Sequence, residues 1–183
     1  VGQFSWMVVL VGTAGIVASD VSKSYYRGLF AEPVSPAGYY LQRWLVGGAL
    51  AAGFVPLVGL GIFVTMGFFP FSAPLLARLM ILYLLLGGLV FLCSTVLGAD
   101  WLIALLLYIL QSVLHAVLQN GAELGVITRG LARGLPPFHL GAASPTSYPT
   151  PAELTHALLY GAGLVLSAVL LLAQRPMGSG GRS

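Results

Sequence analysis

Polar residues recur every four positions within the apolar stretch 108–125 (YILQSVLHAVLQNGAELG). Gln111, His115, Gln119 and Glu123 form this series, and Ser112 lies beside its first member. An unpaired polar group inside hydrocarbon costs on the order of several kcal/mol, so such side chains must face protein and find partners. We define Gln111, Ser112, His115 and Gln119 as the polar stripe and predict that it is buried.

The position of each residue along its helix divides the polar stripe into two parts. For a helix that begins at Trp101, a rise of about 1.5 Å per residue places Gln111 roughly 15 Å along, near mid-bilayer. His115 then lies roughly 21 Å along, and residues from Gln119 onward reach the far interface. We therefore expect Gln111 and His115 to face protein, and Gln119 and Glu123 to lie at the membrane surface.

Three interpretations of the buried polar groups remain open. The first is structural, since such side chains hydrogen-bond neighbouring helices or subunits. The second is a proton or quinone site, because ionisable groups within membrane helices often mark such sites. The third is axial ligation of a b-type haem by His115 and His156, which approach the same face of the membrane.

Other chemistries lack their required residues. Glu153-x-x-His156 is a fragment of the di-iron carboxylate pattern, which needs a second such motif and further glutamates. Nucleophile, P-loop and dinucleotide fingerprints are missing from the sequence. The single Cys93 lies in an apolar run and is interpreted as a packing residue, so neither disulfides nor thiolate zinc sites are expected. We predict that the chain is not an enzyme and holds no metal site.

The composition is that of a membrane protein. Hydrophobic residues make up 58% of the 183, charged residues only 7%, and the mean hydropathy is +0.95. Soluble domains carry about 25% charged residues, so this chain lacks the means to build a water-facing surface. The net charge of +3 comes from eight scattered basic residues, which form no patch for phosphates. A nucleic-acid partner is therefore not expected.

Uncharged stretches divide the chain into candidate spans. About 20 apolar residues cross a bilayer, and the longest uncharged stretch, 44–77, is long enough for two helices separated near Pro70 and Pro74. The sequence predicts an all-α, polytopic membrane protein with one transmembrane domain, followed by a flexible tail at 174–183. The five predicted spans are 4–19, 44–67, 74–97, 101–122 and 152–173.

Sequence signals also mark the ends of the helices. Thr150-Pro151-Ala152-Glu153 is a capping box, with threonine as N-cap and glutamate at the third helical position. Asp100 suits an N-cap for the fourth span. Arg78 begins the third span and is expected to extend towards the lipid headgroups. The segment 134–153 carries five prolines and predicts an extended loop.

Small residues on the second span predict close helix packing. Gly47 and Ala51 form one pair at four-residue spacing, and Gly48 and Ala52 form another. Small side chains let two helix backbones approach closely in a membrane. We therefore interpret these four positions as a helix-packing face.

The distribution of basic residues predicts the orientation of the chain. With five spans, the loops 20–43 and 98–100 share a side with the C-terminal tail. This side carries five basic residues, Lys23, Arg27, Arg43, Arg175 and Arg182. The other side carries three, Arg78, Arg129 and Arg133. Lysine and arginine are enriched in the loops on the inner side of a membrane, which is the positive-inside rule. We therefore predict that the C-terminus lies on the cytoplasmic, matrix or stromal side.

These observations favour a non-catalytic subunit within a larger membrane complex, with membrane lipids and other membrane subunits as its partners. No cofactor is expected in this role, while bound lipids are. The alternative is a small redox or proton-handling anchor with a quinone or haem near His115 and His156. A channel or transporter subunit is a third hypothesis, but the chain lacks internal repeats and a charged pore lining.

Overall fold

The helices of this chain are arranged around one buried central helix. The structure is a computed structural model. It describes residues 35–68, 72–96, 100–119, 134–142 and 147–174, together with single residues 7, 9, 10, 13, 17, 20, 125 and 130. Within these ranges every regular element is a helix. The all-α prediction is confirmed for this part of the chain.

Helix α1 comprises Pro36–Met66 and begins eight residues before the predicted second span. Ser35 is its N-cap, and the Ser35 hydroxyl accepts a hydrogen bond from the Gly38 amide at 3.2 Å. Pro36 occupies the first helical position, where its missing amide costs nothing. The helix ends at Gly67, whose φ of 74° is the left-handed conformation that glycine adopts readily. The start of α1 is therefore marked by the Ser35-Pro36 pair, whereas the uncharged stretch that was used to predict this span begins only at residue 44.

Helix α2 comprises Ala73–Val96 and is the centre of the fold. Within its apolar window, an 18-residue stretch of high hydropathy, 78% is buried. Ser72 caps it by accepting from the Leu75 amide at 3.4 Å. One π-helical segment, Tyr83–Gly87, interrupts it. Its bounds agree with the predicted span 74–97 to within a residue at either end.

The remaining helices are α3, Asp100–Gln119, α4, His139–Ala142, and α5, Pro151–Gln174. The predicted capping box opens α5, since the Glu153 amide donates to the Thr150 hydroxyl at 3.3 Å. In return, the Thr150 amide donates to the Glu153 carboxylate at 2.7 Å. This prediction is confirmed.

Three helices, α1, α2 and α5, are long and apolar enough to cross a membrane. In α3 the apolar run is Leu102–Leu118, which is shorter. Five residues of the predicted span 4–19 are described, namely 7, 9, 10, 13 and 17, and the rest of that span is not. Residues 120–122 of the fourth span, Pro70, the Asp100 side chain and the tail from 175 also lie outside the described residues.

Contacts between helices show their relative directions. Gly48 and Trp44 of α1 meet Tyr83 and Gly87 of α2, so later α2 residues face earlier α1 residues and the two helices are antiparallel. Gly161 of α5 lies against Leu84, and Val165 lies against Gly88. Helix α5 therefore runs parallel to α2.

Two groups of contacts define opposite ends of this bundle. At one end the Arg43 guanidinium donates to the Asp20 carboxylate at 2.6 Å, and the Val17 amide donates to the Ser94 hydroxyl at 3.0 Å. At the other end, Arg78 of α2 contacts Ser147, just before α5. Gln111 of the polar stripe bonds to His139 at this second end. We call it the histidine end.

Candidate functional site

Gln111 and His139 meet at the histidine end of the bundle. Gln111 is only 2% exposed, and its Nε2 donates to His139 Nδ1 at 2.9 Å. This bond requires the neutral tautomer of His139 with its proton on Nε2. Rotation of the amide by half a turn would instead present Oε1 to a protonated Nδ1, so the amide suits either state of the ring. As oriented, Gln111 Oε1 is buried without a partner among the described residues.

His115 lies one helical turn further along α3 and stacks on the same ring. The centroids of His115 and His139 are 4.0 Å apart, and the ring planes differ by 9°. Two unit charges at 4 Å repel by about 4 kcal/mol at an effective dielectric constant near 20. The stack therefore favours states in which at most one of the two imidazoles is charged.

Burial lowers the pKa of His139 below its ordinary value, and the positive charge of His115 lowers it further. His156 acts in the same direction, while the Glu153 carboxylate opposes them. The other two histidines of the chain thus both lower the pKa of the His139 imidazole at the histidine end. The neutral ring is the form that this site favours.

The other residues predicted for a site have different surroundings. Ser112 is exposed, and its hydroxyl donates to the Tyr108 carbonyl one turn earlier at 2.8 Å. His156 is exposed on α5, with its ring 6.3 Å from that of Tyr160. The structure brings His115 into contact with His139, whereas the sequence interpretation pairs it with His156. The side chain of Gln119 lies outside the described residues, as does Glu123.

The segment 134–142 forms a cover over the histidine end and departs from the predicted extended loop. Pro136, Pro137, Phe138 and Leu140 are buried, and the Phe138 ring lies 5.6 Å from that of Tyr108 on α3. The Tyr160 hydroxyl of α5 donates to the carbonyl of Gly134. Aromatic and aliphatic side chains thus keep this proline-rich segment against the bundle.

Arg78 joins the cover to the central helix. It is 3% exposed, so the expectation that it extends to the headgroups is wrong. Its guanidinium donates to the Leu140 carbonyl at 2.7 Å, to the Ser147 carbonyl at 3.0 Å and to the Ser147 hydroxyl at 3.1 Å. The planar donor fork of arginine matches several acceptors at once, so Arg78 supplies the donor that the buried Leu140 carbonyl requires and also binds Ser147.

The four residues of the predicted helix-packing face differ in burial. Gly48 and Ala51 are buried, while Gly47 and Ala52 are half-buried. A Cβ at Gly48 would lie 2.8 Å from Cε1 of Tyr83, closer than real side chains approach. Gly48 therefore allows α1 to approach α2 of the same chain.

An apolar cavity of about 430 Å³ lies beside this contact, between α1, α2 and α5. Trp44, Gly48, Met80, Tyr83, Ala157 and Leu158 contribute to its lining. Its lining chemistry matches a lipid acyl chain, which needs no hydrogen-bond partner.

The spacing of the two stacked imidazoles bears on metal ligation at the histidine end. Among the residues that the structure describes, no group of three or more His, Cys, Asp or Glu side chains is positioned to hold a metal ion. Rings stacked face to face at 4.0 Å leave no space for iron between them. Ligation of a haem by His115 would require this stack to open.

Comparison with known proteins identifies no relative. The chain matches no family model, no curated protein and no solved structure. The site is therefore interpreted from its own geometry.

The sequence reasoning overlooked His139 as a partner of the polar stripe. His139 is 24 residues beyond His115, in a proline-rich segment that carries no periodic pattern. One signal was present: the three histidines lie between the later part of the predicted fourth span and the start of the fifth, which a loop joins on one side of the membrane. Only the folding of the cover brings two of those rings together.

Proposed function

We propose that this chain is a non-catalytic integral membrane subunit that packs within a larger membrane complex. The observation that supports it most is the use of its ionisable and hydroxyl groups. Arg78 binds the cover, Glu153 caps α5, and Arg43 pairs with Asp20. The Tyr83 hydroxyl donates to the Trp44 carbonyl. These groups stabilise the chain itself.

The full proposal includes five membrane spans, with the apolar stretch before Asp20 as the first and α1, α2, α3 and α5 as the others. The alternation of helix directions supports this number. Thr13, Val17 and Asp20 lie against Gly87, Ser94 and Arg43 respectively, so these three residues follow one another towards the end opposite the histidine end.

The exposed surface of α1 supports a role in assembly. Only 17% of its apolar window is buried, and its last turns project large apolar side chains. Leu57, Phe63 and Val64 are 67%, 49% and 76% exposed. Gly53 and Gly61 share this outer face, and a Cβ added at either would meet nothing within 4 Å. Lipids or a partner helix must cover this face, and its small residues suit a helix.

The test compares leucine substitutions on the two faces of α1. Gly53→Leu and Gly61→Leu should leave the thermal unfolding temperature of the isolated chain unchanged but reduce the fraction in the larger complex. Gly48→Leu should instead lower the unfolding temperature, because it displaces Tyr83. Native mass spectrometry of material from its own membrane, in mild detergent, measures the assembly. Recovery of the unmodified chain solely as a monomer would contradict the proposal.

The second candidate function is a small redox or proton-handling anchor, for which the His115–His139 stack beside buried Gln111 is the supporting observation. A visible spectrum of the purified protein distinguishes its haem version. A Soret band that disappears in His115→Gln would favour haem ligation over a purely structural subunit. A chain without a Soret band, when purified from its own membrane, would exclude the haem version.

A further inference from the structure

The cover 134–142 docks on α3 through two stacked imidazoles and a buried amide. We propose that this stack is a proton-binding site, and that proton uptake from water releases the cover from the histidine end. The cover is docked when both rings are neutral and undocks when a second charge enters the stack. This inference concerns the chain itself and does not depend on the proposed role in a complex.

The geometry makes the docked state selective for neutral rings. The His115 and His139 planes are parallel within 9° and their centroids are 4.0 Å apart, so two positive charges would face each other directly. His139 is only half-buried in the cover, whereas Gln111 beneath it is 2% exposed. Release of the cover would move His139 into water and separate the two rings.

Gln111 can keep a hydrogen bond to His139 when that ring takes up a first proton. Its Nε2 donates to the neutral Nδ1, and Oε1 is left buried without a partner among the described residues. When Nδ1 takes a proton, rotation of the amide offers that oxygen as the acceptor. One proton is thus accommodated by hydrogen bonding, and the second proton, on the stacked ring, is the one that opposes docking.

Charged and titratable groups from each neighbouring helix face the cover. His115 and Tyr108 belong to α3, and His156, Glu153 and Tyr160 belong to α5. Arg78 of α2 holds the cover backbone and carries a further positive charge. The Glu153 carboxylate is the group that opposes protonation-driven release, and its capping role keeps it in place.

The direction of the pH dependence follows from the lowered pKa of docked His139. A solvated imidazole has a pKa of about 6.5, so the released cover binds protons more tightly than the docked one. Docking is therefore complete above about pH 6.5 and weakens as the pH falls below it. The docking equilibrium should decrease by up to about tenfold per pH unit in that window for each proton taken up.

Spin labels at two exposed glycines report the position of the cover without depending on pH themselves. Gly134→Cys places a label on the cover and Gly163→Cys places one on α5. A Cβ at either glycine meets nothing within 4 Å, and Cys93→Ala removes the native thiol. Electron paramagnetic resonance should give one narrow label-to-label distance at pH 8, and a longer, broader distribution at pH 5. A distance that stays the same from pH 8 to pH 5 would overturn the proposal.

Matched variants identify the responsible rings. His139→Gln and His115→Gln should each abolish the pH dependence, because a second charge can then no longer enter the stack. His156→Gln, on the exposed face of α5, should retain it. Labels at Gly61→Cys and Gly163→Cys should keep a constant distance, which would show that the bundle stays folded in acid. An equal change in His139→Gln, or in the bundle pair, would show that acid acts elsewhere and overturn the proposal.

Discussion

Arg78 shows how one residue can connect a loop to a buried helix. Its guanidinium supplies three hydrogen bonds to Leu140 and Ser147 from a side chain that is 3% exposed. A buried carbonyl that loses its donor costs about 1–3 kcal/mol. The buried position of Arg78 therefore follows from the needs of the cover backbone.

We predict that Arg78→Met destabilises the chain by about 2 kcal/mol, because it leaves the buried Leu140 carbonyl without its donor. Arg78→Lys should fall between this variant and the unmodified chain, since an ammonium lacks the planar fork. Scanning calorimetry in detergent measures both effects. Gln42→Met is the control, because Gln42 is exposed near the opposite end of the bundle. An Arg78→Met chain as stable as the Gln42→Met chain would show that the cover is not held by these bonds.

At the scale of the helices, local sequence signals account for several boundaries. Ser35, Ser72 and Thr150 each act as an N-cap, and a proline follows within two residues in every case. A side-chain oxygen at the N-cap satisfies amides that have no partner within the helix. Neighbouring prolines fit because the first helical positions need no amide donor.

The capping box of α5 provides the prediction at this scale. Thr150→Ala removes the acceptor for the Glu153 amide and should destabilise the chain by about 1 kcal/mol. Thr155→Ala should change stability by less than about 0.5 kcal/mol, because the exposed Thr155 hydroxyl only donates to the Pro151 carbonyl one turn earlier in the same helix. Hydrogen exchange at residues 152–154 should accelerate in Thr150→Ala alone. Similar exchange in both variants would contradict the role assigned to the box.

At the scale of the molecule, the central position of α2 organises the fold. Its window is 78% buried, compared with 17% for α1 and 22% for α5, so the outer helices present their apolar faces outward. This is the arrangement expected where hydrocarbon, and not water, surrounds the bundle.

The proposed five-span topology predicts that the two ends of the bundle face opposite sides of the membrane. A cysteine at exposed Ser35 should be labelled from one side by an impermeant reagent, and one at exposed Tyr148 from the other. The native Cys93 is buried and should not react. Labelling of both introduced cysteines from the same side would refute this topology.

The sequence alone determined the helical and strongly apolar character of the chain and the cap of α5. It also predicted the bounds of α2 and α5 to within one residue, and the end of α1 but not its start. Those features depend on composition and on contacts within four residues, which can be read along the chain. The tertiary structure decided which surfaces meet. Gly48 packs against Tyr83 of the same chain, Arg78 turns inward to loop carbonyls, and His115 stacks on His139 from a segment without periodicity. These contacts join residues 24–69 positions apart, and no local pattern encodes such pairings, because they depend on how the whole chain closes upon its central helix.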